Sequence, residues 1–407
     1  MATSIQRTFG TPTNNKIFTL STWYKKTKWD GTEPLLSGGS SSRPSPSIMA
    51  TSDGRLSFES YNGSGYDVYL RTSAVYRDVS GWYHIVVAVD TTQATASNRV
   101  KFYVNGEQIT SFSTATYPSQ NFVLQMNEAH THVIGGYTFG GIGSNSVASI
   151  FSHYHFVDGT AYDATAFGEY DANGVWTINT SPSVTYGTNG FFILKDGNSV
   201  TDQSGNSNNF TVGGGTLTNT EDSPSNVFAT INSLDNFYNA STFTNGNNTI
   251  TTGSTNVSWN TSTLGVSSGK WYWETELDAE SSGGSALFGI SDRTAVNATE
   301  ELGGLATTYA YLSSGQFRTN NTNTANGVST TVGNIIGIAL NLDDNQISYY
   351  KNGTIIGSAQ SITAPSSTST GVYFPAWGDW LDPGTVTFKC NFGNGYFGTT
   401  AVSSAGT

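Results

Sequence analysis

The sequence predicts an all-β protein built as two tandem antiparallel sandwiches, and three observations predict it. Charged residues make up only 11% of the 407-residue chain while aromatics reach 13%. Soluble helices need many Glu, Lys and Arg on their wet faces and disordered chains lack aromatics, so neither class fits. Apolar and polar residues alternate with period two over much of the chain, and 46 glycines with abundant Asn, Ser and Thr supply turns between the runs.

In chain order, residues 18–26 (FTLSTWYKK), 82–89 (WYHIVVAV) and 100–104 (VKFYV) read as strands. Asn105-Gly106 then joins two strand-like runs, and this pair marks a two-residue hairpin because both residues tolerate positive φ. Residues 163–170 (DATAFGEY) are the best helical candidate, one or two turns capped by Asp163. Residues 213–235 interrupt the strand pattern with Gly, Pro and polar residues, so the chain divides into a sandwich at 1–218, a linker at 219–235 and a sandwich at 236–407. Val227, Phe228 and Ile231 are able to dock that linker against either sandwich. In the second half, residues 269–278, 335–340 and 345–350 are strands, and Asn352-Gly353 repeats the hairpin signal. GWYHIVVAVD before KFYVNGEQI parallels NIIGIALNLD before ISYYKNGTII, so the two sandwiches are expected to share an arrangement.

Composition also narrows the function. A net charge of -12 and a pI near 4.7 oppose phosphate backbones and anionic membranes, so neither nucleic acid nor membrane insertion is expected. The single Cys390 forms no intrachain disulfide, and the opening residues lack the apolar run of a signal peptide, so synthesis in a cytoplasm is expected.

These segments resemble known families. FTLSTWYKK, GWYHIVVAVD, KFYVNGEQI, HFVDGTAYDATAFGE (155–169) and DQSGNSNNFT (202–211) are similar to the laminin-G-like or concanavalin-A-like lectin sandwich, most of all to versions in tailed-bacteriophage structural proteins. GKWYWETELD (269–278), LFGISDR (287–293), IIGIALNLDDNQISYYKNG (335–353), YFPAW (373–377) and VTFKCNFG (386–393) resemble a SPRY domain, five segments in the family's order. The resemblance implies two recognition modules, non-enzymatic, in a marine-phage type virion protein of tail-fibre or appendage type. Its implied partners are other virion proteins and a host surface glycan or protein, in a homo-oligomer within the virion.

Several residue sets compete for a role. Trp377, Asp379 and Trp380, followed by Asp382, place aromatic faces beside carboxylates in a turn-like segment, which suits a sugar; Tyr309, Tyr311 and Trp29 are further loop candidates. Trp271 and Trp273, at alternate strand positions, read as packing residues. Glu276, Asp278 and Glu280 match the E-x-D-x-E signature of sandwich-fold glycoside hydrolases. Retaining hydrolysis needs carboxyls about 5 Å apart, whereas residues four apart on a strand lie roughly 13 Å apart; a solvated strand face entering a turn explains the stripe without catalysis.

His130, His132, His153 and His155 form two His-x-His pairs that would chelate a transition ion if their strands were neighbours. Asp196 with Asp202, Ser204, Asn206 and Asn208, and separately Asp343, Asp344 and Asn345, offer oxygens to Ca²⁺, though Asx turns account for both. No cofactor is therefore expected, with Ca²⁺ or a His-bound metal as the alternative. No Walker A, dinucleotide or G-x-S-x-G motif occurs. The expectation is a non-enzymatic virion protein that binds a host surface through its loops. The alternatives are a capsid or tail decoration protein and a polysaccharide hydrolase.

Overall fold

A computed structural model describes residues 3–27, 31–39, 46–138, 149–195, 199–254, 257–282, 285–380, 384–393, 396–397 and 400–401. The chain divides into two compact units, residues 1–218 with 223–227 and residues 219–222 with 228–407. Each is a sandwich of antiparallel sheets, and helix among the described residues is limited to single 3₁₀ turns. Asp163 caps one of these, Ala164–Ala166, by accepting from the Thr165 N–H, but the predicted second turn is instead the strand Gly168–Tyr170.

In the first unit, sheet 1 orders its strands Phe112–Thr116, Tyr66–Thr72, Leu56–Tyr61, Ser47–Ala50, Glu33–Gly38, Thr131–Ile134, Ser4–Thr8 and Thr211–Gly214. Sheet 2 orders Phe191–Ile193, Ser149–Asp158, Ile17–Lys26, Tyr83–Asp90, Val100–Val104 and Glu107–Ile109. Alternation decides what lies between them. Phe18, Leu20, Ile85, Val87, Val89 and Phe102 from sheet 2 meet Leu36, Ile48, Phe58, Val68 and Leu70 from sheet 1 in one buried core. The other face of sheet 2 is covered too, because Val86, Ala88, Tyr103 and Val157 pack beneath Phe167, Tyr162, Trp176 and Tyr186. This second layer explains why WYHIVVAV is apolar at successive positions: Ile85, Val87 and Val89 face the core while Val86 and Ala88 face the layer.

In the second unit, sheet 3 runs Thr242–Thr244, Thr249–Thr251, Val386–Asn391, Lys270–Glu280, Ile335–Asn341, Gln346–Lys351 and Thr354–Ser361. Sheet 4 runs Trp259–Thr261, Phe374–Asp379, Ala286–Ser291, Thr308–Leu312, Gln316–Thr319 and Thr322–Ala325. Trp273, Leu277, Ile336, Ile338, Tyr349 and Phe388 face Phe288, Ile290, Tyr311 and Trp377. Within residues 219–235, Ile231 is buried in this core, and Asp235 accepts from the Thr261 hydroxyl and the N–H groups of Ala295 and Val296.

The echo between the halves has a structural basis. Asn105 and Gly106 take φ of 49° and 86°, and Asn352 and Gly353 take 48° and 80°, the left-handed pair a tight hairpin requires. Each Asn also reaches a third strand: Asn105 Oδ1 accepts the His84 N–H at 2.8 Å, and Asn352 Oδ1 accepts the Ile335 N–H at 2.8 Å. The motif therefore fastens three strands at once in both sandwiches. A third hairpin, Asn320-Asn321 with φ of 49° and 56°, escaped the sequence reading because it lacks the glycine.

Candidate functional site

Most of the loop residues expected to recognise a ligand are inside the second sandwich. Trp377 is 0% exposed and donates its indole N–H to Thr275 Oγ1 at 2.8 Å, so it is a core anchor rather than a surface ring. Its strand extends through Asp379, which carries the segment further into the sandwich than the turn-like composition of 377–382 suggests. Asp379 is buried and accepts the Ser258 N–H at 3.4 Å. Tyr309 and Tyr311 are equally buried: Tyr309 OH meets Thr363, and Tyr311 OH donates to the Val328 carbonyl at 2.7 Å. Trp380 is half-buried beneath the Arg318 guanidinium, 4.6 Å from its ring centroid, and Arg318 is itself held by Glu301, Asn321 and Asn323. Trp29 and Asp382 lie outside the described residues. Trp273 packs as expected, but Trp271 at the strand's start is 49% exposed.

The hydrolase stripe is divided. A bulge between Leu277 and Ala279 interrupts the pairing of Lys270–Glu280 with Val386–Asn391. Before it, Glu276 and Asp278 share the outer face of sheet 3 with Lys389, whose ammonium lies 3.7 Å and 2.5 Å from them. Lys389 stays above the usual lysine range, because hydrogen bonds and charge from these carboxylates outweigh its burial. After the bulge, Glu280 accepts the Ala286 N–H at 2.9 Å and the Ser313 hydroxyl at 2.7 Å, on the sheet 4 side. The extra residue reverses the side-chain alternation, so the outer Glu pair does not flank one substrate position.

The four histidines are likewise dispersed. His132 sits in sheet 1, while His153 and His155 sit in sheet 2, so the two pairs are not on neighbouring strands. His132 stacks on Phe9 at 3.6 Å with its nitrogens 2.9 Å from the carbonyls of Met126 and His130. Half-buried His130 lies 3.8 Å from Glu128. His153 occupies a bulge at φ 48°, Nδ1 against the Ser152 hydroxyl, and His155 pairs with Tyr186 OH at 2.9 Å. No group of three or more His, Cys, Asp or Glu among the described residues is arranged to hold a metal.

The oxygen-rich turns are closed by the chain itself. Asp202 accepts the N–H groups of Phe192, Ser204 and Asn208 and the Ser204 hydroxyl, all between 2.8 and 2.9 Å. The Asn206 amide donates to the Gly187 and Gly190 carbonyls, and Asn341 Oδ1 accepts the N–H groups of Asp343 and Asp344. These are Asx turns, whose oxygens already serve backbone donors. Asp196 lies outside the described residues.

An exposed aromatic cluster appears elsewhere, on the outer face of sheet 1. Tyr66, 44% exposed, stacks on Tyr69 at 4.5 Å and 26°, and Tyr61 meets Tyr66 edge-on at 5.2 Å. Val68 and Leu70 point into the core, which turns Tyr69 outward, and Tyr69 lies cross-strand from Glu59. Burial raises the Glu59 carboxyl above its usual range. Arg71, further along the same strand, is anchored by Asp53 at 2.7 Å. The sequence signal was present: YNGSGYDVY places tyrosines on both sides of a Gly-rich turn.

Comparison with known proteins fits this geometry. The concanavalin A-like lectin/glucanases superfamily profile matches residues 3–142, and the SPRY domain profile matches residues 270–393. The chain carries a concanavalin A-like domain followed by a SPRY domain. Among solved structures, it is similar to the SPRY domain of human HERC1 at 19% identity, covering 39% of this chain and 96% of that one with a TM-score of 0.32. Stonustoxin is 18% identical over 40% of this chain and 27% of its own, with a TM-score of 0.30. The TRIM65 PSpry domain is 14% identical over 40% of this chain and 91% of its own, with a TM-score of 0.29. No curated protein matches the chain.

Proposed function

We propose that this is a non-enzymatic virion protein of tail-fibre or appendage type that recognises a host surface glycan or protein. The observation that carries the reading is the tyrosine patch on the concanavalin A-like domain, where Tyr66 and Tyr69 stack, Tyr61 meets Tyr66 edge-on and Glu59 lies alongside. Aromatic faces with nearby hydrogen-bonding groups suit the apolar face and hydroxyls of a sugar, and many weak copies in a virion would add avidity. The divided carboxylate stripe supports a binding role over a hydrolytic one.

A glycan array and a host-cell binding assay on the full chain test this. Binding lost in Tyr66→Ala with Tyr69→Ala supports it; no binding to any glycan or host surface overturns it.

The second reading, a capsid or tail decoration protein, draws on the edge strands. Thr354–Ser361 (TIIGSAQS) and Phe112–Thr116 (FSTAT) each end a sheet, are uncharged and are largely exposed; apart from Ser358, whose N–H and carbonyl are held by Asn326, such edges suit pairing with a neighbouring subunit. A cryo-electron reconstruction of the source particle separates the readings by showing whether these edges pair with other subunits or the tyrosine patch faces outward.

A further inference from the structure

The outer layer of sheet 2 contains an imidazole held by a partner that tolerates only its neutral form. Trp176 donates its indole N–H to His84 Nδ1 at 3.0 Å, and indole is a donor only. His84 Nδ1 is therefore an acceptor, and the ring's proton is on Nε2, 2.9 Å from the Ser21 hydroxyl. Trp23 stacks on the imidazole at 4.9 Å, and the Trp176 ring, its centroid 5.9 Å away, lies within 18° of the imidazole plane, as an in-plane N–H donor to Nδ1 requires.

Trp176 belongs to the two-stranded hairpin of Gly168–Tyr170 and Trp176–Ile178, which pairs with neither large sheet. Among the described residues of that hairpin, Trp176 is the one packed into the apolar layer. Its ring lies in a slot between Gly106 and Gly168, where an added Cβ would stand 2.4 Å and 2.6 Å from indole carbons. At the outer end, Tyr170 OH makes exposed bonds to Glu107 and the Asn105 carbonyl.

We infer that this hairpin is a flap that opens on acidification, when a proton on His84 Nδ1 displaces the Trp176 N–H. With both nitrogens carrying hydrogens, two donors face each other across a part-buried contact, and the flap keeps only its surface bonds. The proton adds to the Nδ1 lone pair, and no covalent bond breaks.

The titratable groups around the ring do not replace the lost acceptor. His155 and His153 on Ser149–Asp158 couple to one another, and His155 to His84, by like-charge repulsion, while Lys195 acts on His155 with the same sign. From the other elements, Tyr103 lies in the same layer, and Glu107 and Tyr170 stand at the flap's exposed end. Burial holds His84 low, to about 3. Opening uncovers Trp23, whose buried indole N–H has no hydrogen-bond partner in the closed form; that orphan donor lowers the cost of opening.

Hydrogen exchange of the full chain tests this, because a detached two-stranded hairpin is only marginally ordered. With an open-state imidazole at its ordinary value, the opening equilibrium for residues 168–178 rises ~20-fold between pH 7 and 5 after correction for intrinsic exchange. Residues 17–26 and 83–90 stay protected. His84→Asn retains an acceptor near the Nδ1 position without titrating, and removes the rise. Trp176→Phe opens the flap at pH 7 with little further pH dependence, and serves if His84→Asn fails to fold.

A wild-type hairpin whose protection is independent of pH overturns the inference. So does a rise that persists in His84→Asn, or deprotection of residues 17–26 and 83–90 in step with the hairpin.

Discussion

Lowering the pH from 7 to 5 should destabilise the concanavalin A-like domain while leaving the SPRY domain nearly untouched. All five histidines lie before residue 156, and the SPRY domain contains none. Burial keeps His132 down to about 4, against the two carbonyls that favour its cation, and burial also holds His155 well below the usual range. The sign follows from proton counts. Between about pH 6.5 and 4 the unfolded chain binds protons on these imidazoles and the folded chain does not. Stability is therefore fully present above pH 6.5 and falls as pH drops toward the folded values. His132 costs about 1.9 kcal/mol between pH 7 and 5, His155 adds to this in the same direction, and His84 adds to it only while its flap is closed. At about 2.1 cal/mol/K per residue, a domain of roughly 220 residues loses about 4 °C in Tm from His132 alone, and His155 deepens the loss. Differential scanning calorimetry at the two pH values, with transitions assigned by tryptic mapping, reads this directly. The reasoning is refuted if both transitions shift equally, or if His132→Phe with His155→Phe leaves the first domain's shift unchanged.

Other outcomes follow from single contacts. Trp377→Ala should cost about 3–5 kcal/mol in urea denaturation through its core cavity, and should not weaken ligand binding beyond that loss of fold. Asn352→Gly keeps the positive φ but removes the bridge to Ile335, costing about 1 kcal/mol, whereas Asn352→Ala adds about 1–2 kcal/mol of left-handed strain; denaturant midpoints separate the two. Cys390 is buried, and burial raises its thiol, so a thiol reagent should label it only after unfolding. Because Asp202 is satisfied by chain donors, EDTA should leave the melting of the first domain unchanged.

The fold was legible because alternation and turn chemistry are local. Asn105-Gly106 and Asn352-Gly353 announced their hairpins through backbone sterics alone, and FTLSTWYKK and WYWETELD announced long strands. The candidate sites were less legible because each depended on which face of a strand a residue occupies. One bulge at Leu277/Ala279 moved Glu280 off the face of Glu276, and another at Ser152/His155 broke the His153–His155 alternation. A bulge adds one residue without a composition signal, so period-two reasoning fails beyond it. Trp377 misled for a different reason: its Gly and Asp neighbours look like a turn, yet Gly378 is the small residue that lets the strand pass close to Trp259.

The two domains share a strand plan but not an outer layer, and that difference organises their chemistry. In the SPRY domain, the part-exposed outer face of sheet 3 pairs Tyr272 with Glu274, and Glu276 and Asp278 with Lys389, so its charges are answered locally. In the concanavalin A-like domain, the corresponding face of sheet 2 is roofed by aromatic rings, so His84 and His155 are buried, and burial lowers both imidazoles below their usual range. A polar residue under such a roof keeps its place only while its hydrogen bonds fit, which ties the roof's closure to imidazole protonation. The tyrosine patch lies on the other sheet of the same domain, where Asp53, Arg71 and Glu59 are partly solvated. The proposed recognition surface and the proposed acid-responsive roof lie on opposite sheets of one sandwich, so substitutions in either should leave the other intact.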